Sequence, residues 1–213
     1  MSEFSDFLKT DYAGHFNVAW DSATMSLRME IPASVCFEIA DKEPMIIQPN
    51  GKGISVLRRK EAMIEVIDIE TFTALIHGTD NTPTSCDFAI TPVAEPDYIL
   101  LNELTKTRSS YILPFMQPTT GIEQMGKLEF AKMQLTETIN RLYEVSSFCD
   151  KYPSRVALFS CRLSDKLGKG IMARSAKAFN QSIYRLQHMK LHESLPHGFT
   201  FEMRVYDAEY YLP

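Results

Sequence analysis

The sequence has no apolar run approaching the roughly 18 uninterrupted residues of a membrane span. Its first residues, MSEFSDFLKTD, have neither a basic n-region nor an apolar stretch of signal-peptide length. No membrane association is therefore expected, and a cytoplasmic location is. Among Cys36, Cys86, Cys149 and Cys161 no pair has C-x-x-C spacing, which leaves buried, reduced thiols as the expectation rather than a zinc knuckle or a disulfide framework. The turn Asn50-Gly51-Lys52-Gly53 lacks the G-x-x-x-x-G-K-[ST] spacing of a phosphate loop. No G-x-S-x-G elbow marks a nucleophilic serine. His188 and His192 stand four apart, with Glu193 and His197 nearby, but the H-E-x-x-H order is missing and Pro196 would end a helix there, so no zinc site is expected. Net positive charge is lacking as well, and a balance of −5 argues against a protein that coats nucleic acid.

What is present begins with size. The chain has 213 residues, 45% of them hydrophobic, enough for one domain with a core of its own, alone or with an appended subdomain. Residues 1–12 are compatible with a short helix. Met25 to Ile31 alternates as a strand does, and Val35 to Ile39 and Met45 to Ile47 suggest two more short strands between prolines. These suggest a small antiparallel layer, and residues 1–53 are read as a β-rich subdomain or extension, with 54–213 as the main body. The run from Ile54 to Ile76 has β-branched residues that favour a strand and an apolar spacing that also allows a helix. HGTDNTPTS, residues 77–85, is a loop by composition.

The most informative stretch is Cys86 to Lys106. Two apolar runs, Phe88 to Ile90 and Tyr98 to Leu101, flank a turn-rich insert holding Pro92 and Pro96, which reads as a β-hairpin. Asp87 opens the first strand and Glu103 closes the second, so the hairpin brings two carboxylates to one end of a sheet. Mg²⁺ takes oxygen ligands and is held by one or two carboxylates together with substrate phosphates. Thr107 to Gly126 is then longer than most connections in compact domains, which makes it a candidate functional loop or partner contact.

From Lys127 onward Leu128, Ala131, Leu135, Ile139, Leu142 and Val145 recur at spacings of three and four and predict an amphipathic helix. Arg155 to Cys161 follows as a buried strand, and the strand-helix-strand order predicts a crossover in a partly parallel sheet. The loop from Ser164 to Gly170 is either a flexible turn or a phosphate contact, and a second helix over 172–186 follows it. Phe199 to Tyr206 reads as an edge strand, and Tyr210-Tyr211-Leu212 as a tail that docks on the body or on a partner. Charge is divided unevenly: residues 1–103 hold 7 Lys+Arg against 17 Asp+Glu, and residues 104–213 hold 15 against 10. Between Lys151 and Lys190 nine basic residues accompany one acid, Asp165. That run is either a phosphate footprint, with Lys169, Arg174, Lys177 and Arg185 as its contacts, or a solvated face that pairs with the acidic half.

An acid opening a strand (Cys86-Asp87-Phe88), an apolar strand ending in Glu103, a lysine just behind it and an amphipathic helix carrying Gln134 resemble the core of the PD-(D/E)xK nuclease superfamily, over roughly residues 64–163. The resemblance implies an α+β or α/β fold, a mixed sheet flanked by amphipathic helices in a restriction-endonuclease-like core. It implies Mg²⁺ or Mn²⁺ held by Asp87 and Glu103, and hydrolysis of nucleic-acid phosphodiesters, with Lys106 positioning the attacking water. Gln134 and a further acid such as Glu61, Glu65 or Asp68 would support the site, in a restriction, repair or phage-defence setting. The tripeptide here reads Glu103-Leu104-Thr105, with threonine where the family places lysine. The alternative is therefore an inactive nuclease-fold subunit that binds nucleic acid or an acidic protein within a larger complex or homo-oligomer.

Overall fold

Two ten-residue strands buried almost continuously, and so on both faces, set the architecture. The computed structural model describes residues 1–60, 62–78, 80, 82–117, 119–164, 193–206 and 209–213. Its strands are β1 (Met29–Glu30), β2 (Cys36–Ile39), β3 (Ile47–Gln48), β4 (Ser55–Arg58), β5 (Ile64–Asp68), β6 (Phe88–Pro92), β7 (Tyr98–Thr107), β8 (Phe115–Met116), β9 (Glu123–Gln124), β10 (Ser154–Leu163), β11 (Glu193–Ser194), β12 (Thr200–Val205) and β13 (Tyr210–Tyr211). The helices are α1 (Glu3–Phe7) and α2 (Ala13–His15), joined by a π-helical turn over Leu8–Tyr12, then α3 (Ile69–His77) and α4 (Lys127–Val145). Seven strands form a mixed sheet in the order β1-β5-β6-β7-β10-β12-β11. β1 to β7 pair antiparallel, whereas β10 runs parallel to both β7 and β12. A second sheet, β13-β4-β2-β3, and the small β8-β9 hairpin complete the α+β fold.

Because successive side chains on a strand point to opposite faces, the large sheet has two cores. Ala89, Ile99, Leu101, Ala157 and Phe159 pack under α1, α3 and α4. Phe88, Ile90, Leu100, Val156 and Leu158 pack against Phe37 and Leu57 of the second sheet. Helices thus cover one face, and a sheet the other. The boundary anticipated at residue 53 falls inside the second sheet, between β3 and β4, while α1 lies on the large sheet's helical core.

The hairpin, the long helix and the parallel crossover form as their sequence patterns predict. Ile54 to Ile76 is both strand and helix: β4 and β5 lead into α3 at Asp68, whose side chain accepts a 2.7 Å hydrogen bond from the Thr71 amide and caps the helix. β12 departs from its expectation as an edge strand, since β11 pairs with its outer side through Phe201 and Thr200. Its alternation arises because Phe201, Met203 and Val205 face the helical core while the intervening residues are only half-buried. The tail docks on the body, with Tyr210 and Tyr211 paired parallel to β4. Three cysteines are buried and Cys36 is half-buried, all of them free. No helix among the described residues is long and apolar enough to cross a membrane. The second helix expected over 172–186, with Lys169, Arg174, Lys177 and Arg185, lies outside the described residues, as does Glu61.

α4 starts against the backbone of the long connection before it. Gly126 offers no capping side chain, and the Ile112 carbonyl instead accepts from the Leu128 amide at 3.0 Å. A Cβ at Gly126 would lie under 3.0 Å from backbone atoms of Ile112, Leu113 and Pro114. Gly126→Ala is expected to cost about 1–3 kcal/mol through overpacking, lowering Tm by about 3–10 °C in a calorimetric scan. An unchanged Tm would mean that this contact is not close.

Candidate metal centre

Three strand ends meet at one edge of the large sheet. β5 ends where β6 begins, through Asp68↔Phe88, and β7 passes the same point through Asn102↔Phe88. Asp87 and Glu103 are therefore cross-strand neighbours, both buried, both on the helix side. The Leu104 amide donates to Asp87 Oδ2 at 2.6 Å. The Asp87 carbonyl in turn accepts from the Ile69 amide at 2.8 Å, which fixes the first turn of α3 and sets Glu70 beside the pair.

The fourth carboxylate arrives from the other sheet. Arg28 is the bracket: its Nη1 lies 2.8 Å from Asp68 Oδ2 at the α3 cap, and its Nη2 donates to the Glu43 carbonyl in the turn between β2 and β3. Lys42 in that turn has φ 60°, the left-handed conformation that folds the turn back on itself. Asp41 thereby reaches the edge, and oxygens of Asp41, Glu70 and Asp87 lie within 4.8 Å of one another. Lys42 Nζ is 3.3 Å from Asp41 Oδ2. These groups, with Glu103, Thr105, Lys106, Lys127 and Gln134, line a cavity of about 470 Å³.

Burial and crowding raise the carboxyls of this cluster. Burial, then the Asp41 charge, raises the Asp87 carboxyl well above its ordinary range, against the Leu104 hydrogen bond that lowers it. Burial, followed by the charges of Asp87, Glu70 and Asp41, pushes Glu103 up as well. Lys42 is raised by Asp41 and Glu70, as an ammonium among acids must be. Glu103 is 7% exposed, and its buried Oε2 has no hydrogen-bond partner. A buried, unpaired carboxylate oxygen costs several kcal/mol unless something binds it. An octahedral Mg²⁺ with oxygens at about 2.1 Å keeps its ligands about 3.0–4.2 Å apart, close to the separation of the Asp41, Glu70 and Asp87 oxygens, with Glu103 on the wall of the same cavity, and the all-oxygen donor set suits Mg²⁺ or Mn²⁺.

Of the residues singled out from sequence, Asp87, Glu103, Lys106 and Gln134 share this cavity. β7 pairs with β10 without interruption through Thr107↔Leu163, so Thr105 shares Glu103's face and Lys106 points to the opposite one. Lys106 is exposed at the cavity edge. Gln134 is half-buried, donates to the Ser85 carbonyl at 3.1 Å and leaves its buried Oε1 unpartnered. Glu65 lies elsewhere, fully buried near the opposite end of β5, where it accepts from the Ser2 amide at 3.0 Å and from the Ser2 hydroxyl at 2.8 Å. Asp68 is occupied as helix cap and Arg28 partner. Asp41, Glu70 and Lys42 are additions from the structure; the one local signal was an acid in the first turn after a capping Asp, which by itself indicates only a helix start. His197 stacks on Tyr143 at 3.8 Å. Comparison with protein-family models, curated proteins and solved structures finds no match to this chain.

Proposed function

We propose that the chain is a divalent-cation-dependent hydrolase of nucleic-acid phosphodiesters with a restriction-endonuclease-like core. The observation that carries this reading is the convergence of four carboxylates from four separate elements on one cavity, one of them with a buried, unpartnered oxygen. The β6-β7 hairpin followed by the α4 crossover to parallel β10 supports it, being the strand-helix-strand order that the resemblance implies. Asp41, Glu70, Asp87 and Glu103 would hold Mg²⁺ or Mn²⁺. Such an ion supplies charge neutralisation at the phosphate and a bound water of lowered pKa. Lys42, exposed at the cavity mouth and 3.3 Å from Asp41 Oδ2, would donate a hydrogen bond to such a water. Lys106 and Lys127 at the rim hold the phosphate on either side, and Gln134 offers its free amide oxygen to the water shell. The basic residues Lys169, Arg174, Lys177 and Arg185 extend the phosphate footprint in this reading.

Titration calorimetry with Mg²⁺ and Mn²⁺, run beside cleavage of single- and double-stranded DNA and RNA, tests it. Cation binding with EDTA-sensitive cleavage is expected. Lys42→Ala should then lower the rate by about 100-fold while sparing cation binding, and Lys106→Ala should act mainly on substrate affinity. Cation binding without cleavage would favour the inactive nucleic-acid-binding subunit, for which Thr105 in the family's lysine position is the specific support. Neither binding nor cleavage would end both readings.

A further inference from the structure

The long connection between β7 and α4 builds a second cavity, of about 530 Å³, next to the acidic one. That size lies within the range of about 300–1,000 Å³ typical of small-molecule sites. Three aromatic rings form its walls: Tyr111, Phe115 and Phe130. Tyr111 and Phe115 pack on each other with centroids 4.5 Å apart and planes tilted by 55°, and both rings line the cavity. Gln117 and Gln124 add carboxamides at the same cavity. The two cavities share Lys127 and Phe130 as a common wall. Lys127 Nζ lies 5.6 Å from the Phe130 ring centroid, over its face, which places an ammonium between the apolar chamber and the carboxylates.

We propose that this chamber receives one unstacked nucleobase of the strand whose phosphate lies at the carboxylates. The inference rests on the phosphodiesterase reading and narrows its substrate. Aromatic faces take any base by stacking, and carboxamides pair donor and acceptor with a base edge. Lys127 stands where the nucleotide's own phosphate must pass from one cavity to the other. Gln117 Oε1 already accepts from the Thr120 hydroxyl at 3.0 Å, which leaves the Gln117 amide nitrogen to donate to a base edge beside Gln124. A base inside a duplex cannot reach such a chamber, so the substrate is a single strand, an unpaired end or a flipped nucleotide.

The probe is 2-aminopurine deoxyriboside, whose fluorescence is quenched on stacking and which lacks a phosphate. Saturable quenching by the full chain is expected, weakened at least about fivefold in Phe130→Ala and restored in Phe130→Trp. Phe130 is 40% exposed, so its loss leaves the fold intact, and Phe115→Ala provides a second variant. Asp87→Asn should bind the nucleoside as the wild type does, so failure of the cation site and failure of the base pocket are told apart. Absence of saturable quenching, equal quenching in Phe130→Ala, or displacement of the probe by cyclohexanol as readily as by adenosine would overturn the proposal. Where cleavage is found, an abasic nucleotide beside the scissile linkage should slow it in the wild type and have no further effect in Phe130→Ala.

Discussion

Asp87→Asn is expected to abolish cation binding and nucleic-acid cleavage while making the cation-free protein more stable. Loss of a residue that merely supports a metal ligand costs about 10–100-fold in affinity or activity, so removal of a central buried carboxylate should exceed 100-fold. The stability gain has a separate cause. Asparagine has the shape of aspartate, and its Oδ1 can still accept the Leu104 amide now held at 2.6 Å by Asp87. The substitution deletes a buried charge that Asp41 and Glu70 oppose, and each pKa unit of such opposition corresponds to about 1.4 kcal/mol. Glu65→Gln is the contrasting variant. Its carboxylate is also buried, but its Oε2 accepts two hydrogen bonds from Ser2 and its Oε1 lies 3.5 Å from the Met1 ammonium, so it should lose about 1.5–3 kcal/mol and leave cation affinity unchanged. Two buried acids in one sheet thus predict opposite signs in Tm. Wild-type Mg²⁺ affinity in Asp87→Asn, or a destabilisation equal to that of Glu65→Gln, would remove Asp87 from the site.

Periodicity carried the elements that bury one face. The hairpin around Pro92 and Pro96, α4 with its Leu128-to-Leu142 stripe and the apolar β10 could all be read because local patterns decide them. The hairpin register then followed, and with it the Asp87–Glu103 pair. Asp41 and Glu70 could not be found this way. Asp41 reaches the site through Arg28, which bridges Asp68 and the Glu43 carbonyl across 40 and 15 residues, and Glu70 through the Ile69 amide that donates to the Asp87 carbonyl; no short-range pattern encodes either contact. Ile54 to Ile76 was ambiguous for a related reason, because its strand and helix are divided by one capping residue, Asp68. Lys106 and Thr105 show the value of register: in a strand that stays regular to Thr107, neighbours in sequence belong to opposite faces.

Stabilisation of the protein by Mg²⁺ is expected to increase with pH between about 5 and 9, the span over which Glu103 is raised. In the cation-free fold both Asp87 and Glu103 have carboxyls raised above their ordinary range, chiefly by burial and then by neighbouring acids. A raised acid binds more protons folded than unfolded, so cation-free stability is greatest at low pH and falls as pH climbs from the ordinary carboxyl range through the raised values. Cation binding needs the ionised form and therefore releases protons. At low pH the ion competes with protons for the same oxygens, and at high pH it relieves a repulsion that the exposed Lys42 ammonium offsets only in part. With Mg²⁺ at about 100 times its Kd the gain is about 2.7 kcal/mol, which for a chain of this size corresponds to about 5–10 °C in Tm. That shift should be fully developed only near pH 9, where Glu103 ionises, and fall toward zero near pH 5. Calorimetry in two buffers of different ionisation enthalpy should show proton release on binding, and Asp87→Asn should show neither effect. A Tm shift independent of pH would mean that Mg²⁺ binds at exposed carboxylates, which stay ionised across this whole window, and the buried pair would then have to be kept for something other than a cation.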